Sequence, residues 1–116
     1  MRQLDWADVC ASHELVEGQL RHASVSGRDL VLLRHEGVAY ALDGRCPHRG
    51  GELWKGDLMA GKLACPLHAW TYDVKTGVAF FPLGTKLPAH RVVEDGGRVK
   101  VQLSAGDLSG FTPPNF

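Results

Sequence analysis

Residues 45–70 have the sequence RCPHRGGELWKGDLMAGKLACPLHAW, and a Cys/His pair stands near each end of this stretch. One residue separates Cys46 from His48, and two residues separate Cys65 from His68. Sixteen residues lie between His48 and Cys65. Each pair places a soft thiolate and an imidazole on one short loop, and these are the ligand types of a transition-metal site. The stretch is therefore predicted to hold a metal centre.

Two kinds of metal centre fit a set of two cysteines and two histidines. Tetrahedral zinc accepts such a set in structural sites. A [2Fe–2S] cluster also accepts it, with both cysteines on one iron and both histidines on the other. A common zinc finger has its two cysteines first and its two histidines together. Here each cysteine is coupled to a histidine in a separate loop, which favours the two-iron cluster. A zinc-stabilised structural or interaction domain is the alternative.

Length and composition limit the class of protein. At 116 residues, a single domain over residues 1–116 is expected. The 13 basic and 13 acidic side chains balance, which argues against a nucleic-acid partner bound through its phosphates. Three cysteines cannot all pair within one chain, and no stretch approaches the roughly 20 apolar residues that span a bilayer. The N-terminus lacks the apolar run of a signal peptide. We expect a cytoplasmic monomer with no membrane partner.

The rest of the chain has the pattern of an all-β framework. The 14 glycines and 6 prolines indicate many turns. A short helical turn is expected after Ser12, with Ser12 as its N-cap residue. Residues 45–70 show little periodicity and are expected to form loops. Strands and hairpins are predicted on either side of that segment, with strand residues 30–34, 38–42, 71–73, 78–80, 91–93 and 99–103.

The two Cys/His boxes, together with the strands on either side of them, resemble the Rieske family. The resemblance covers about residues 3–103. It implies an all-β Rieske fold, in which an antiparallel β-sandwich base carries a small loop-rich cluster-binding subdomain at about residues 45–83. Residues 104–116 are then a C-terminal tail.

The same resemblance implies the cofactor and its ligands. A single [2Fe–2S] cluster would be held by Cys46 and Cys65 on the inner iron, and by His48 and His68 on the outer iron. The family's histidines bind through Nδ1 and leave their far edges near solvent, where electrons enter and leave.

Departures from the family's respiratory members predict a low reduction potential. The Rieske subunits of cytochrome bc complexes carry an additional cysteine in each loop, and those two form a disulfide. The matching residues here are Gly51 and Leu67. Those proteins also place a serine and a tyrosine two and four residues after the second histidine, where this chain has Trp70 and Tyr72. Hydrogen bonds to cluster sulfur raise the potential, so we expect loss of the serine to lower it.

The chain resembles the freestanding ferredoxins that pass electrons from a flavin-dependent NAD(P)H reductase to a terminal, aromatic-ring-hydroxylating oxygenase. We expect an electron-transfer component rather than an enzyme, because the 13 residues after the last predicted strand are too few for a mononuclear iron domain. The chain is also similar to the small Rieske subunit of assimilatory nitrite reductases, whose partner would be the large subunit. The ferredoxin is the favoured interpretation.

Apolar residues near the two boxes have two interpretations. Trp54 and Trp70 either shield the cluster from water or form an exposed docking rim with Leu53, Leu67 and Pro82.

Further residues are expected to lie outside the metal centre, apart from one covering loop. The family implies that the loop at residues 80–84 covers the cluster from the side. Cys10 is expected to be a small buried apolar residue. The remaining histidines are expected to be solvated; these are His13, His22, His35 and His90.

Overall fold

The computed structural model describes residues 6–47, 50–66, 70–81 and 85–103. This part of the chain contains ten strands and two 3₁₀ turns, Ser12–Glu14 and Leu53–Lys55. The strands are β1 (Ala7–Ala11), β2 (Leu20–Val25), β3 (Arg28–His35), β4 (Val38–Asp43), β5 (Asp57–Met59), β6 (Lys62–Ala64), β7 (Thr71–Asp73), β8 (Ala79–Phe81), β9 (Ala89–Asp95) and β10 (Arg98–Gln102).

The strands form a six-stranded sheet in the order β1-β10-β9-β4-β3-β2 and a four-stranded sheet in the order β5-β6-β7-β8. All neighbouring strands are antiparallel. Strand β9 joins the two halves of the larger sheet: its first two residues pair with β4, and residues 91–95 pair with β10. The predicted all-β class, with an antiparallel base and a small subdomain, is confirmed.

Strand β3 is buried on both faces. Leu30, Val31, Leu32 and Leu33 are each 0% exposed. Because side chains alternate across a strand, Leu30 and Leu32 enter one apolar core, while Val31 and Leu33 enter another. The base of the molecule and the small subdomain are therefore packed against opposite faces of the same strand.

The first core fills the base between the β1–β10 layer and the β2–β3–β4 layer. It includes Cys10, which is 2% exposed, so the expectation that Cys10 is a buried apolar residue is confirmed. Burial raises the pKa of its thiol. The other members are Leu15, Val25, Leu30, Leu32, Ala39, Ala41, Val99 and Val101.

The second core attaches the small sheet to β3 and β4. From the base it contains Val31, Leu33 and Leu42, and from the small sheet it contains Leu63, Tyr72 and Ala79. Cys46 and Cys65 are members of this same core, so both predicted cysteine ligands lie where the two sheets meet.

Four hairpins close through pairs of residues that both have positive φ, as type I′ turns require. The pairs are Ser26–Gly27, Glu36–Gly37, Ala60–Gly61 and Gly96–Gly97. The first, second and fourth lie at turns that the sequence predicts. The third joins β5 to β6 inside the segment expected to be loops.

Two sequence-based expectations are wrong in this region of the fold. Residues 57–64 form the β5–β6 hairpin rather than loop, and strands of three residues are too short to show an alternating pattern. Ser12 is the first residue of its 3₁₀ turn, not the N-cap. The cap position is Ala11, whose backbone N–H donates to the Glu14 carboxylate at 2.9 Å.

Among the described residues, no helix could cross a membrane.

Adjacent leucines of β3 test the two-core arrangement. Leu32→Ala and Leu33→Ala should each cost about 2–5 kcal/mol of unfolding free energy, because both side chains are fully buried. Only Leu33→Ala should also speed amide exchange in residues 57–64, since only Leu33 belongs to the second core. Urea unfolding and hydrogen exchange with mass spectrometry measure the two effects. Equal acceleration by both variants would contradict the assignment.

Candidate metal centre

The two predicted cysteine ligands begin two loops, and each loop is closed by an equivalent backbone hydrogen bond. In the first loop, residues 46–51, the Cys46 N–H donates to the Gly51 carbonyl at 2.9 Å. In the second loop, residues 65–70, the Cys65 N–H donates to the Trp70 carbonyl at 2.7 Å. Each cysteine therefore bonds the residue five positions later, and the two sulfur-bearing residues occupy equivalent places.

The residues flanking each loop also pair in the same way. An antiparallel bridge joins Arg45 to Glu52 around the first loop, and Ala64 pairs with Thr71 around the second. Within the first loop, the Gly50 N–H donates to the Cys46 carbonyl at 2.7 Å, and Gly50 has a φ of 70°. That conformation favours glycine, which explains the glycine at this position.

Both cysteine side chains are buried, whereas the residues after them reach the surface. Cys46 is 1% exposed and Cys65 is 3% exposed, and neither forms a disulfide. The following residues, Pro47 and Pro66, are exposed. Each loop thus begins with a buried cysteine, and the proline that follows it is exposed.

Tyr72 on β7 contacts the first sulfur. Its side chain is 0% exposed, and its hydroxyl lies 3.2 Å from Cys46 Sγ. Burial, and then the hydrogen bond and charge of Cys46, raise the pKa of Tyr72 above its usual value, with a smaller contribution from the charge of Cys65. The phenol therefore stays protonated, and it is the donor in this contact when Cys46 is a metal-bound thiolate.

The donor set fits an iron–sulfur or zinc centre. Two buried cysteines, neither in a disulfide, lie in equivalent loops near one hydroxyl, and thiolates prefer these metals. His48 and His68 lie outside the described residues, so their assignment as ligands stays a prediction. Among the residues that are described, no group of three or more histidine, cysteine or acidic side chains converges.

The other predicted site residues differ in burial and in the part of the fold that they contact. Gly51 is buried and closes the first loop, and Trp70 is half-buried against the second core. Trp54 is half-buried beside β2. Leu53 is 0% exposed, so its expected place in an exposed rim is wrong: the side chain fills the second core.

The loop expected to cover the cluster lies largely outside the described residues, which omit 82–84 and hence Pro82. Of its first residues, Phe80 is 47% exposed. The Lys62 ammonium lies 5.0 Å from the centre of its ring, so Phe80 faces the solvent side of the small sheet.

A part-buried ion-pair group that the sequence did not reveal precedes the first loop. Asp43 ends β4, and its carboxylate accepts hydrogen bonds from Arg28 at 2.9 and 3.0 Å. His90 Nε2 lies 2.8 Å from the same carboxylate, and the His90 side chain is 0% exposed. The expectation that His90 is solvated is therefore wrong. It packs where β9 crosses to β4, a contact between residues 47 positions apart.

A second group missed by sequence reasoning lies beside the first loop. Arg45 contacts Asp29, Trp54 and the Gly50 carbonyl. His22 is exposed, as expected, with 42% of its side chain open to solvent. It is also hydrogen-bonded to Asp29 and lies 4.0 Å from Trp54, ring centre to ring centre. One feature of the sequence could have indicated this group: Arg45 is a charged residue directly before the predicted ligand Cys46.

Comparison with known proteins identifies relatives along most of the chain. The family model for the Rieske [2Fe-2S] domain matches residues 5–91. The ferredoxin component of the naphthalene 1,2-dioxygenase system of Pseudomonas aeruginosa is 35% identical over 100 residues, covering 85% of this chain and 96% of that protein. The ferredoxin component of the alkene monooxygenase system of Xanthobacter autotrophicus is 33% identical over 99 residues, covering 84% of this chain and 81% of that protein.

A solved structure has the same fold. It is a complex of reduced oxygenase and oxidized ferredoxin in carbazole 1,9a-dioxygenase. One of its chains superposes with a TM-score of 0.79 at 28% sequence identity, covering 87% of this chain and 94% of that chain.

The Asp43 group predicts a pH-dependent stability. Burial raises the pKa of Asp43, but hydrogen bonds and charge from His90 and Arg28 outweigh burial and lower the pKa below its usual value. Its stabilisation is therefore present above the unfolded-state pKa of about 3.9 and is lost as the pH falls through the lower folded-state pKa. Asp43→Asn should reduce unfolding free energy by about 2 kcal/mol at pH 7, since charged hydrogen bonds are lost.

Urea unfolding of wild type and Asp43→Asn at pH 7, 4 and 3 checks this, and the difference should narrow as the pH falls. Asp8→Asn is the matched control, because Asp8 pairs with Arg98 at the exposed surface. A constant difference between wild type and Asp43→Asn across this range would contradict the role of the Asp43 charge.

Proposed function

Because the chain belongs to the Rieske [2Fe–2S] domain family, we propose that it is a one-electron carrier that delivers electrons to a terminal oxygenase. The observation that carries this proposal is the pair of buried cysteines in two equivalent loops, within a chain that matches ferredoxin components along most of its length. The relatives belong to oxygenase systems, and one solved relative is described in complex with its oxygenase.

The cofactor is a [2Fe–2S] cluster, which supplies one-electron redox chemistry when bound. Cys46 and Cys65 would hold it through their thiolates, since both are buried in the second core and neither forms a disulfide. His48 and His68 are the proposed ligands of the second iron, because they complete the two boxes of the family.

The described residues keep water from the sulfur side of this site. Leu33, Leu53 and Leu63 surround the cysteines in the second core, and each is 0% exposed. Tyr72 donates a hydrogen bond to Cys46 Sγ, which stabilises negative charge on the sulfur. The side of the molecule where Pro47 and Pro66 are exposed is the proposed side for electron entry and exit.

The proposed partners are a flavin-dependent NAD(P)H reductase as donor and a terminal, aromatic-ring-hydroxylating oxygenase as acceptor. In this role the chain acts as a monomer and catalyses no substrate conversion itself. The cytoplasm is the proposed location, because its reducing conditions keep cysteines as thiols and none of the three cysteines here forms a disulfide.

The test is a spectrum followed by a reconstituted electron transfer. The purified chain should be brown, with a visible absorption that bleaches by one electron per chain when a flavin reductase and NADH are added. Anaerobic mixing of the reduced chain with a terminal oxygenase should restore the absorption as the oxygenase is reduced. A colourless zinc protein would overturn the carrier role. A coloured chain isolated only in a stable complex with a large nitrite reductase subunit would overturn the oxygenase assignment.

Cysteine variants test the ligand assignment. Cys46→Ser and Cys65→Ser should each abolish the visible spectrum and the bound iron, because each removes a thiolate from the buried end of a loop. Cys10→Ser is the matched control: Cys10 is equally buried but lies in the other core, so iron and colour should remain. Iron analysis and absorption spectroscopy measure the result. An unchanged spectrum in Cys46→Ser would refute the assignment.

Tyr72→Phe should lower the midpoint potential by removing the hydrogen bond to Cys46 Sγ. A shift on the order of 40 mV is expected from the usual strength of one such bond for a one-electron couple. Tyr40→Phe is the control, since Tyr40 packs against the same core and, in the described part of the chain, forms no hydrogen bond to either sulfur. Redox titration measures both variants. A midpoint in Tyr72→Phe equal to or above that of wild type would show that the hydroxyl does not stabilise the reduced cluster.

A further inference from the structure

The Arg45 side chain crosses the first loop. Its Nη1 donates to the Gly50 carbonyl at 3.3 Å, and Gly50 in turn bonds the Cys46 carbonyl. Arg45 directly precedes Cys46, so the guanidinium spans the loop from the residue before it to its far side. The side chain is 49% exposed, which distinguishes it from the buried residues of the second core.

The guanidinium has three further contacts. Its Nη1 lies 3.6 Å from Glu52 Oε2, on the far side of the loop. Nε donates to Asp29 Oδ2 at 3.1 Å, and the group lies 5.1 Å from the centre of the Trp54 ring. The other Asp29 oxygen, Oδ1, lies 2.8 Å from His22 Nε2, and the His22 ring lies 4.0 Å from the Trp54 ring. Asp29, His22, Trp54 and Arg45 thus form a closed ring of contacts, which we call the Arg45 network.

The Arg45 network is attached to the larger sheet at the base of the molecule. Asp29 and His22 belong to β3 and β2, which pair along their length. A Cβ on Gly44 would lie 2.9 Å from the Trp54 ring and 2.9 Å from the Leu30 backbone carbon. Trp54 therefore packs directly on main chain next to Arg45. Hydrogen bonds from His22 and then Arg45 lower the pKa of Asp29, so its carboxylate stays charged at neutral pH.

The two loops differ in what holds their ends. The second loop continues into the β6–β7 ladder, where three successive residue pairs join its two sides. The first loop has one bridge, between Arg45 and Glu52, and beyond it the Leu53 N–H donates to the Gly44 carbonyl at 2.8 Å. At the position that matches Arg45, the second loop has Ala64, which has no group able to reach across the loop. The first loop therefore has a shorter ladder than the second, together with the side-chain contacts of Arg45.

We propose that Arg45 is a positioning residue, which fixes the first loop to β3 of the base where the backbone ladder is short. The planar guanidinium is suited to this role, because it bonds the Asp29 carboxylate and the Gly50 carbonyl while it lies against Trp54. Loss of Arg45 should loosen the first loop and leave the second unchanged. The consequence for cluster retention rests on the proposed function, whereas the consequence for loop mobility does not.

The experiment compares amide exchange in the two loops of the cluster-loaded protein. Arg45→Ala should speed exchange in residues 45–52 by about fivefold, the effect of losing roughly 1 kcal/mol of local stability. Exchange in residues 64–71 should not change. Arg45→Lys keeps the charge but not the fork, so it should also speed exchange in the first loop. Arg98→Ala is the matched control, because Arg98 is 46% exposed and pairs with Asp8 far along the chain from both loops.

Cluster retention is the second readout. Arg45→Ala and Asp29→Asn should each lose iron to a chelator several-fold faster than wild type, and Arg98→Ala should lose it at the wild-type rate. Three results would overturn the proposal: unchanged exchange in Arg45→Ala, equal acceleration in both loops, or full restoration by Arg45→Lys. The last would assign the effect to charge alone. A chain that holds no iron would instead refute the proposed function, and the exchange comparison would still decide the role of Arg45.

Discussion

Burial of both cysteine sulfurs in one apolar core is the constraint on which the rest of this structure depends. The core that contains Cys46 and Cys65 is also the core that attaches the small sheet to β3 and β4. The packing that attaches the small sheet to the base therefore also places the two cysteine ligands. Metal binding adds its free energy to the folding of residues that already pack together, as is usual for small metal-binding domains.

The sequence predicts the parts of this arrangement that depend on local chemistry. Spacing of cysteine and histidine identifies the two loops, and glycine-containing turns identify most hairpins, because φ above zero favours glycine. The apolar run at residues 30–33 predicts a buried strand. That its alternate residues enter two different cores could not be predicted, since this depends on which sheet packs on each face.

What the sequence does not predict depends on contacts between distant residues. His90 resembles a solvated histidine beside a charged neighbour, yet it is buried against Asp43, 47 residues away. Leu53 lies in the segment expected to form loops, but its 3₁₀ turn directs the side chain into the second core. The partnership of Arg45 with Asp29 likewise requires that β3 run beside the first loop, which only the assembled sheet provides.

Residues 70 and 72 show why one site position differs from the respiratory pattern while the other is kept. At residue 70 the loop is closed by the backbone carbonyl, which accepts from the Cys65 N–H whatever side chain is present. The Trp70 side chain packs, half-buried, against the edge of the core, so the closing bond does not require a serine. At residue 72 the tyrosine ring is completely buried in the second core, and a buried phenol needs a hydrogen-bond partner. Cys46 Sγ meets that need at 3.2 Å, so packing and sulfur chemistry both favour tyrosine.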